Sequence, residues 1–237
     1  MTGALEDSPA ARVRAPLAEG GDYRADDISC SVVAHPAAVA IAILLGQLNT
    51  TWAIRRAVVQ IFEPASERGS AGLDELQQQV VSMLSFKPVP TEVFGTQVAF
   101  SMISKLGDEA APQLAAVEDR IEKHLATLLD RSGDIPMPSF RVIQAPVFHG
   151  YTMSFWVEFA DAPSPGDVEE TLAAAGIDVR GEDVTAPDNI GIAGQSGISV
   201  GSISADRNNG DALWIWLAAD NLRLTAENAA RLVQELS

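Results

Sequence analysis

The chain has 237 residues, 47% of them apolar, enough for one large domain with a sizeable core. Its 32 acidic against 16 basic residues leave a net charge of -16, and no run of Lys or Arg interrupts that excess, which argues against a nucleic-acid partner. The single cysteine, Cys30, cannot form an internal disulfide, and the most apolar run, Val32–Leu45, is too short to span a bilayer. The opening Met1–Gly20 is polar and acidic, so a cytoplasmic protein with neither a secretory leader nor a membrane partner is expected.

Residues 1–31, rich in Ala, Asp, Gly, Arg and Pro without long apolar periodicity, read as a connecting segment. Residues 32–237 read as one domain. Pro36 suits the first turn of a helix running to Leu48, with His35 packed at its start. Arg56–Glu63 reads as a strand, and Pro64–Gly72 as a loop. Asp74–Phe86 is expected to be helical, with Leu73, Leu76, Val80 and Leu84 on one face. After the Pro-punctuated Lys87–Thr91, the segment Phe94–Leu106 has no clear period.

Pro112 opens a helix to Leu129, with Leu114, Val117, Ile121, Leu125 and Leu128 at helical spacing and His124 on the solvated side. Strands are predicted over Phe140–Phe148 and Thr152–Phe159, and a short helix over Pro165–Ala175, stopped by Gly176. Gly197–Ser204 and Ala212–Ala219 form a hairpin pair in which Asn208-Asn209-Gly210 supplies residues that tolerate positive φ. Trp214 and Trp216 share one face of the second strand and read as core or interface. Thr225 is a plausible cap for a last helix, Ala226–Leu236, with Leu232, Val233 and Leu236 inward. The expected fold is α/β (α+β), a mixed and largely antiparallel sheet covered by helices.

Several short motifs fall in a recognisable order. Gln60-Ile61-Phe62-Glu63-Pro64-Ala65-Ser66-Glu67-Arg68-Gly69 is a strand ending in a Ser/Gly loop, and Gln97-Val98-Ala99-Phe100-Ser101 follows it. Later come Gln144-Ala145-Pro146-Val147-Phe148-His149-Gly150-Tyr151-Thr152, Val200-Gly201-Ser202-Ile203-Ser204-Ala205-Asp206, and Ala219-Asp220-Asn221-Leu222-Arg223 with Asn228 beyond. From Val33 onward this order resembles the second domain of the aspartate-semialdehyde dehydrogenase family. That resemblance implies a fold like the second domain of semialdehyde and glyceraldehyde-3-phosphate dehydrogenases. It also implies dimerisation, NADP as cofactor, and a place in amino-acid biosynthesis.

The same resemblance carries family positions onto altered residues. With the strand Ile54–Glu63 aligned without a gap, the nucleophilic cysteine falls on Pro36, which has no thiol for a thioacyl intermediate. The acid/base histidine falls on Tyr151, a poor base at neutral pH with its ordinary pKa near 10. The substrate-orienting glutamine falls on Glu63, expected to repel an anionic substrate as a carboxylate, and the substrate arginine falls on Gln144. Arg120, in Glu118-Asp119-Arg120, corresponds to the lysine of a Glu-x-Lys pair; Asn221 and Asn228 take cofactor-side positions.

No strand–GxGxxG–helix precedes residue 30, so residues 1–31 resemble the last connecting piece of a dinucleotide domain. His149, two residues before Tyr151, is placed by strand alternation on the same face as Tyr151. Cys30 is the only available thiol, six residues before the expected nucleophile, and reads as a neutral linker cysteine. Gly191–Gly197 matches neither a phosphate loop nor a nucleophile elbow, and no metal-ligand spacing appears.

The expectation is a catalytically inactive member of that family, forming a homodimer or pairing with a paralogue and binding no cofactor by this chain alone. Two alternatives stand beside it. One is an NADP-dependent oxidoreductase converting aspartyl phosphate to aspartate semialdehyde, completed by a nucleotide domain. The other is a non-catalytic module that binds a small molecule.

Overall fold

The computed structural model describes residues 6, 8, 10–19, 30–130, 133–181 and 183–235. Two short strands, β1 (Ala11–Arg14) and β2 (Cys30–Val33), pair in parallel and lead into helix α1 (Pro36–Asn49). A six-stranded sheet follows in the spatial order β4-β3-β5-β8-β7-β6. Its members are β3 (Ile54–Glu63), β4 (Ser139–Gln144), β5 (Tyr151–Phe159), β6 (Asp178–Arg180), β7 (Ser199–Ala205) and β8 (Ala212–Ala219). The outer pairs β3–β4 and β6–β7 are parallel, and the central ladders are antiparallel. This is the mixed α/β architecture expected from the sequence.

Strand alternation decides which side of the sheet is covered. Val59, Ile61, Met153, Phe155, Val157, Phe159, Leu213, Ile215 and Leu217 all point to one face and are at most 1% exposed. Helix α1 is apolar around nearly its whole circumference, so it suits the centre of this layer. It packs against α3 (Leu114–Leu129), α4 (Pro165–Ala174) and α5 (Asn221–Glu235). The predicted apolar row of α3, Leu114, Val117, Ile121, Leu125 and Leu128, is buried as its spacing requires. Helix α2 (Gly69–Leu84) begins five residues before the predicted start at Asp74 and buries a different row. Gly72, Glu75, Leu76 and Gln79 face inward, whereas Leu84 is largely exposed.

That row holds the irregular segment after α2 in place. Glu75 accepts from the Val93 and Phe94 N–H groups, and Gln79 Oε1 accepts from those of Val98 and Ala99. Gln79 Nε2 donates to the Pro90 and Thr96 carbonyls. The same segment is pinned where Gly95 and Gly107 meet back to back. A Cβ on Gly107 would lie 2.0 Å from the Gly95 carbonyl oxygen, so no side chain fits there.

Other expectations need correction. Strand β4 stops at Gln144 rather than Phe148: Ala145 N–H makes the last ladder bond, to the Glu63 carbonyl, and Pro146 has no N–H to donate. Strand β3 lies between β4 and β5. Helix α5 starts at Asn221, five residues before the predicted Ala226, because Asp220 Oδ1 accepts from the Leu222 and Arg223 N–H groups. Thr225 lies inside the helix and donates back to the Asn221 carbonyl. Leu232 is buried but Val233 is 67% exposed, and Leu236 lies outside the described residues. The β7–β8 turn uses no positive φ at Asn208, Asn209 or Gly210; the Asp206 carboxylate accepts from the Asn208 and Asn209 N–H groups instead.

Candidate functional site

Parallel pairing of β3 with β4 brings Glu63 and Gln144 side by side where both strands end. Antiparallel β5 starts at that same edge with Tyr151, and the N-terminus of α1 presents His35. Glu63 and His35, with the turn after β3 and one side of α3, line a cavity of about 190 Å³, and Gln144 and Tyr151 are buried outside that lining. Its polar lining is Glu6, His35, Glu63, Glu67, Arg68 and Arg120.

Of the sequence-predicted positions, Glu63 and Arg120 line the cavity, while Gln144 and Tyr151 do not. Gln144 is fully buried; its Nε2 donates to the Glu63 and Ala145 carbonyls, and its Oε1 lies 3.5 Å from Arg68 Nε. Glu63 sits 3.6 Å from Arg68 Nη2, a charge contact rather than a hydrogen bond. Burial outweighs that attraction and pushes the Glu63 pKa up to about 8, so at neutral pH it is mostly a carboxylic acid. The anionic repulsion expected of Glu63 is therefore corrected. Tyr151 is wholly buried, and burial followed by the nearby Glu67 and Glu63 raises its pKa well above 10, so even less phenolate than expected is present at neutral pH.

His35 caps α1, its Nδ1 accepting from the Ala37 N–H. Its own backbone N–H donates to Nδ1 of His124. His124 is wholly buried, which corrects its expected surface position; its Nε2 lies 3.5 Å from the Glu6 carboxylate. Burial, then the charges of Arg120 and His124, depress the His35 pKa to about 3, so His35 is neutral at pH 7. Its Nε2 lies 3.8 Å from Glu67, whose other oxygen accepts from Asn221 Nδ2 at 2.7 Å.

His149 and Cys30 are not brought into the cleft lining. His149 lies in the bend between β4 and β5, so strand alternation from Tyr151 does not apply to it. That bend needs Gly150: its φ is +81°, and a Cβ would meet the Asn189 carbonyl oxygen at 3.0 Å. Cys30 opens β2 and pairs in register with Ala11. Among the described residues, no thiol lines the cleft and no cluster of metal-ligating side chains is present. Glu67, Arg68 and the His35–His124 contact were not singled out from the sequence. The adjacent opposite charges of Glu67 and Arg68 were visible in the loop after β3, but nothing local marked them as buried.

The opposite side of the sheet is the second feature. Val58, Trp156 and Trp214 lie abreast across three strands, with Gln60, Ser154 and Trp216 in the next row. Val58 is 39% and Trp214 42% exposed, and the Trp156 and Trp214 indole N–H groups both donate to Asp206. Phe62 and Trp216 stack at a tilt, 6.0 Å apart.

The chain thus carries a mixed sheet packed on helix α1 on one face, with tryptophans on the other and a polar cavity at one edge. The model of the semialdehyde dehydrogenase dimerisation domain matches residues 45–224, and the chain belongs to that family. It is 28% identical to the aspartate-semialdehyde dehydrogenase of Rickettsia bellii, over 87% of this chain and 62% of that protein. It is 30% identical to the USG-1 protein homolog of Pseudomonas aeruginosa, over 100% of this chain and 70% of that protein. A solved structure of a probable aspartate-semialdehyde dehydrogenase from Pseudomonas aeruginosa superposes with a TM-score of 0.86 at 28% identity, covering 100% of this chain and 71% of that one. The chain thus spans 62% of the length of the Rickettsia relative it matches.

The family implies NADP, and the two cofactor-side positions in this chain do not fit it. Asn221 is buried, bonded to Ser66, Glu67 and the Gly150 N–H. Asn228 is equally buried, its oxygen accepting from the Leu17 N–H and its Nδ2 donating to the Leu224 carbonyl. The Asn221 amide has its donors and acceptors taken, and Asn228, with one bond at each end, is wholly buried.

Proposed function

We propose that this chain is a non-catalytic member of the semialdehyde dehydrogenase family, working through association of its tryptophan-bearing sheet face with a second copy or with a catalytically intact paralogue. The supporting observation is that face. Val58, Phe62, Trp156, Trp214 and Trp216 give it apolar area, and Asp206 holds two of the indoles in fixed orientations. Ordered aromatic anchors of this kind are what a stable interface of about 800 Å² per partner requires. A charge at its centre, in Trp214→Glu, is expected to abolish pairing in sedimentation while the fold is retained. Unchanged pairing would sink the assignment of that face.

The absence of catalysis rests on the cleft chemistry. A thioacyl route needs a thiolate and a base near neutral pH. The lining offers a neutral His35, a protonated Glu63 and no cysteine. The competing reading, an NADP-dependent aspartate-semialdehyde dehydrogenase, draws on the names of the relatives. It is tested by following NADPH formation from aspartate semialdehyde, phosphate and NADP. Turnover that Cys30→Ala abolishes would overturn the non-catalytic assignment; no turnover supports it.

A second reading, ligand binding in the cleft without turnover, is favoured by one observation. Glu63 Oε2, Arg68 Nη2 and Tyr151 OH are buried without a hydrogen-bond partner among the described residues. Of these, Arg68 Nη2 and the protonated Glu63 belong to the cavity lining and are donors, so they call for an acceptor there.

A further inference from the structure

Glu6 reaches across from the N-terminal stretch into the mouth of the cleft. Its carboxylate receives hydrogen bonds from Arg120 Nε at 3.1 and 3.2 Å and from Arg120 Nη2, a two-pronged grip on one anion. Lys123 Nζ donates to the Glu6 backbone carbonyl at 3.3 Å, and His124 Nε2 lies 3.5 Å from Oε2. The side chain of Glu6 is 15% exposed, well screened from solvent for an acid. Burial alone would raise its pKa; the hydrogen bond and charge of Arg120, then His124, outweigh burial and hold it below the ordinary carboxylate value.

Glu6 and the donor-rich floor line the same cavity. Arg68, with a side chain 4% exposed, contributes the unpartnered Nη2 beside Glu63. The cleft therefore has an anion seat at its mouth, and the side chain seated there is the chain's own. A carboxylate tethered by a short segment is present at an effective concentration in the millimolar range, enough to compete with a free ligand of ordinary affinity.

We propose that Glu6 is a tethered plug, and that small free carboxylates compete with it for the seat at Arg120 and are admitted to the cleft when it is displaced. The proposal rests on the ligand-binding reading of the cleft and is independent of the sheet face. A competing side chain lowers the apparent affinity of a free ligand by the fraction of molecules in which the seat is taken. Removing the charge of Glu6 removes the competitor and leaves the seat.

Succinate is a suitable probe and neutral succinamide its control, both titrated by calorimetry at constant ionic strength. Glu6→Gln is expected to bind succinate about tenfold more tightly than the unaltered chain, in keeping with a charge-assisted contact of this kind. Arg120→Gln is expected to lose that binding even when combined with Glu6→Gln, and succinamide should bind to none of them. Equal succinate affinity in the unaltered chain and Glu6→Gln would overturn the plug while leaving a binding cleft. No succinate binding to either would overturn the plug and the binding reading together. Binding that persists in Arg120→Gln would place the seat elsewhere and overturn the proposal.

Discussion

Glu63 and His35 face one cavity, and burial moves both away from their ordinary titration in opposite senses. Glu63 has a folded pKa of about 8 against 4.5 for the unperturbed group, so between those values the folded chain holds a proton that the unfolded chain has released. Its contribution to stability is full below pH 4.5 and is lost as pH rises towards 8. His35 does the reverse: with a folded pKa of about 3 against 6.5, its contribution is full above pH 6.5 and is lost as pH falls towards 3. Glu63→Gln keeps a neutral side chain at every pH. It should stabilise the protein little at pH 5 and by on the order of a few kcal/mol at pH 8.5, read by chemical denaturation. Parallel pH profiles for the two proteins would mean that Glu63 is ionised in the fold. At Gly150, substitution by alanine should cost about 1–3 kcal/mol, because positive φ and the nearby Asn189 carbonyl both oppose a Cβ. A thermal melt equal to the unaltered chain's would contradict that packing.

Among the elements, those with regular apolar spacing were legible in the sequence and those fixed by polar side chains were not. The row from Leu114 to Leu128 and the alternation from Met153 to Phe159 each specify one buried face, and both are buried as read. Helix α2 is legible as a helix, but its inward face is not, because that row includes Glu75 and Gln79, which an apolar template counts as exposed. Their burial is compensated by backbone groups of the segment 90–99, contacts remote in sequence. The start of α5 was misplaced for a related reason, since the cap is Asp220 and not the Thr225 that precedes the strongest amphipathic stretch. Gln79→Ala should therefore cost about 3 kcal/mol, leaving several buried donors and acceptors without partners. It should also speed amide hydrogen exchange at Val98 and Ala99 while leaving α1 protected. Unchanged exchange at those amides would contradict the role given to α2.

For the whole molecule, the motif order from Val33 onward was enough to locate both family and fold. It also brought Glu63 and Gln144 to the ends of neighbouring strands, though only Glu63 lines the cleft. The state of that cleft was not legible. Protonation of Glu63, capture of Gln144 by the strand ends and entry of Glu6 depend on burial and on contacts between distant segments. The bare sheet face was only half visible, because Trp214 and Trp216 announce a shared side but not whether helices cover it. On this side Val58 and Trp214 stay exposed, while the Trp216 indole N–H donates to the Pro187 carbonyl. The most direct measurement is the mass of the purified chain in solution by light scattering across a concentration series. Self-association predicts twice the 25.1 kDa chain mass, falling to one chain mass in Trp214→Glu. A single-chain mass at every concentration, with or without the intact paralogue present, would contradict the account.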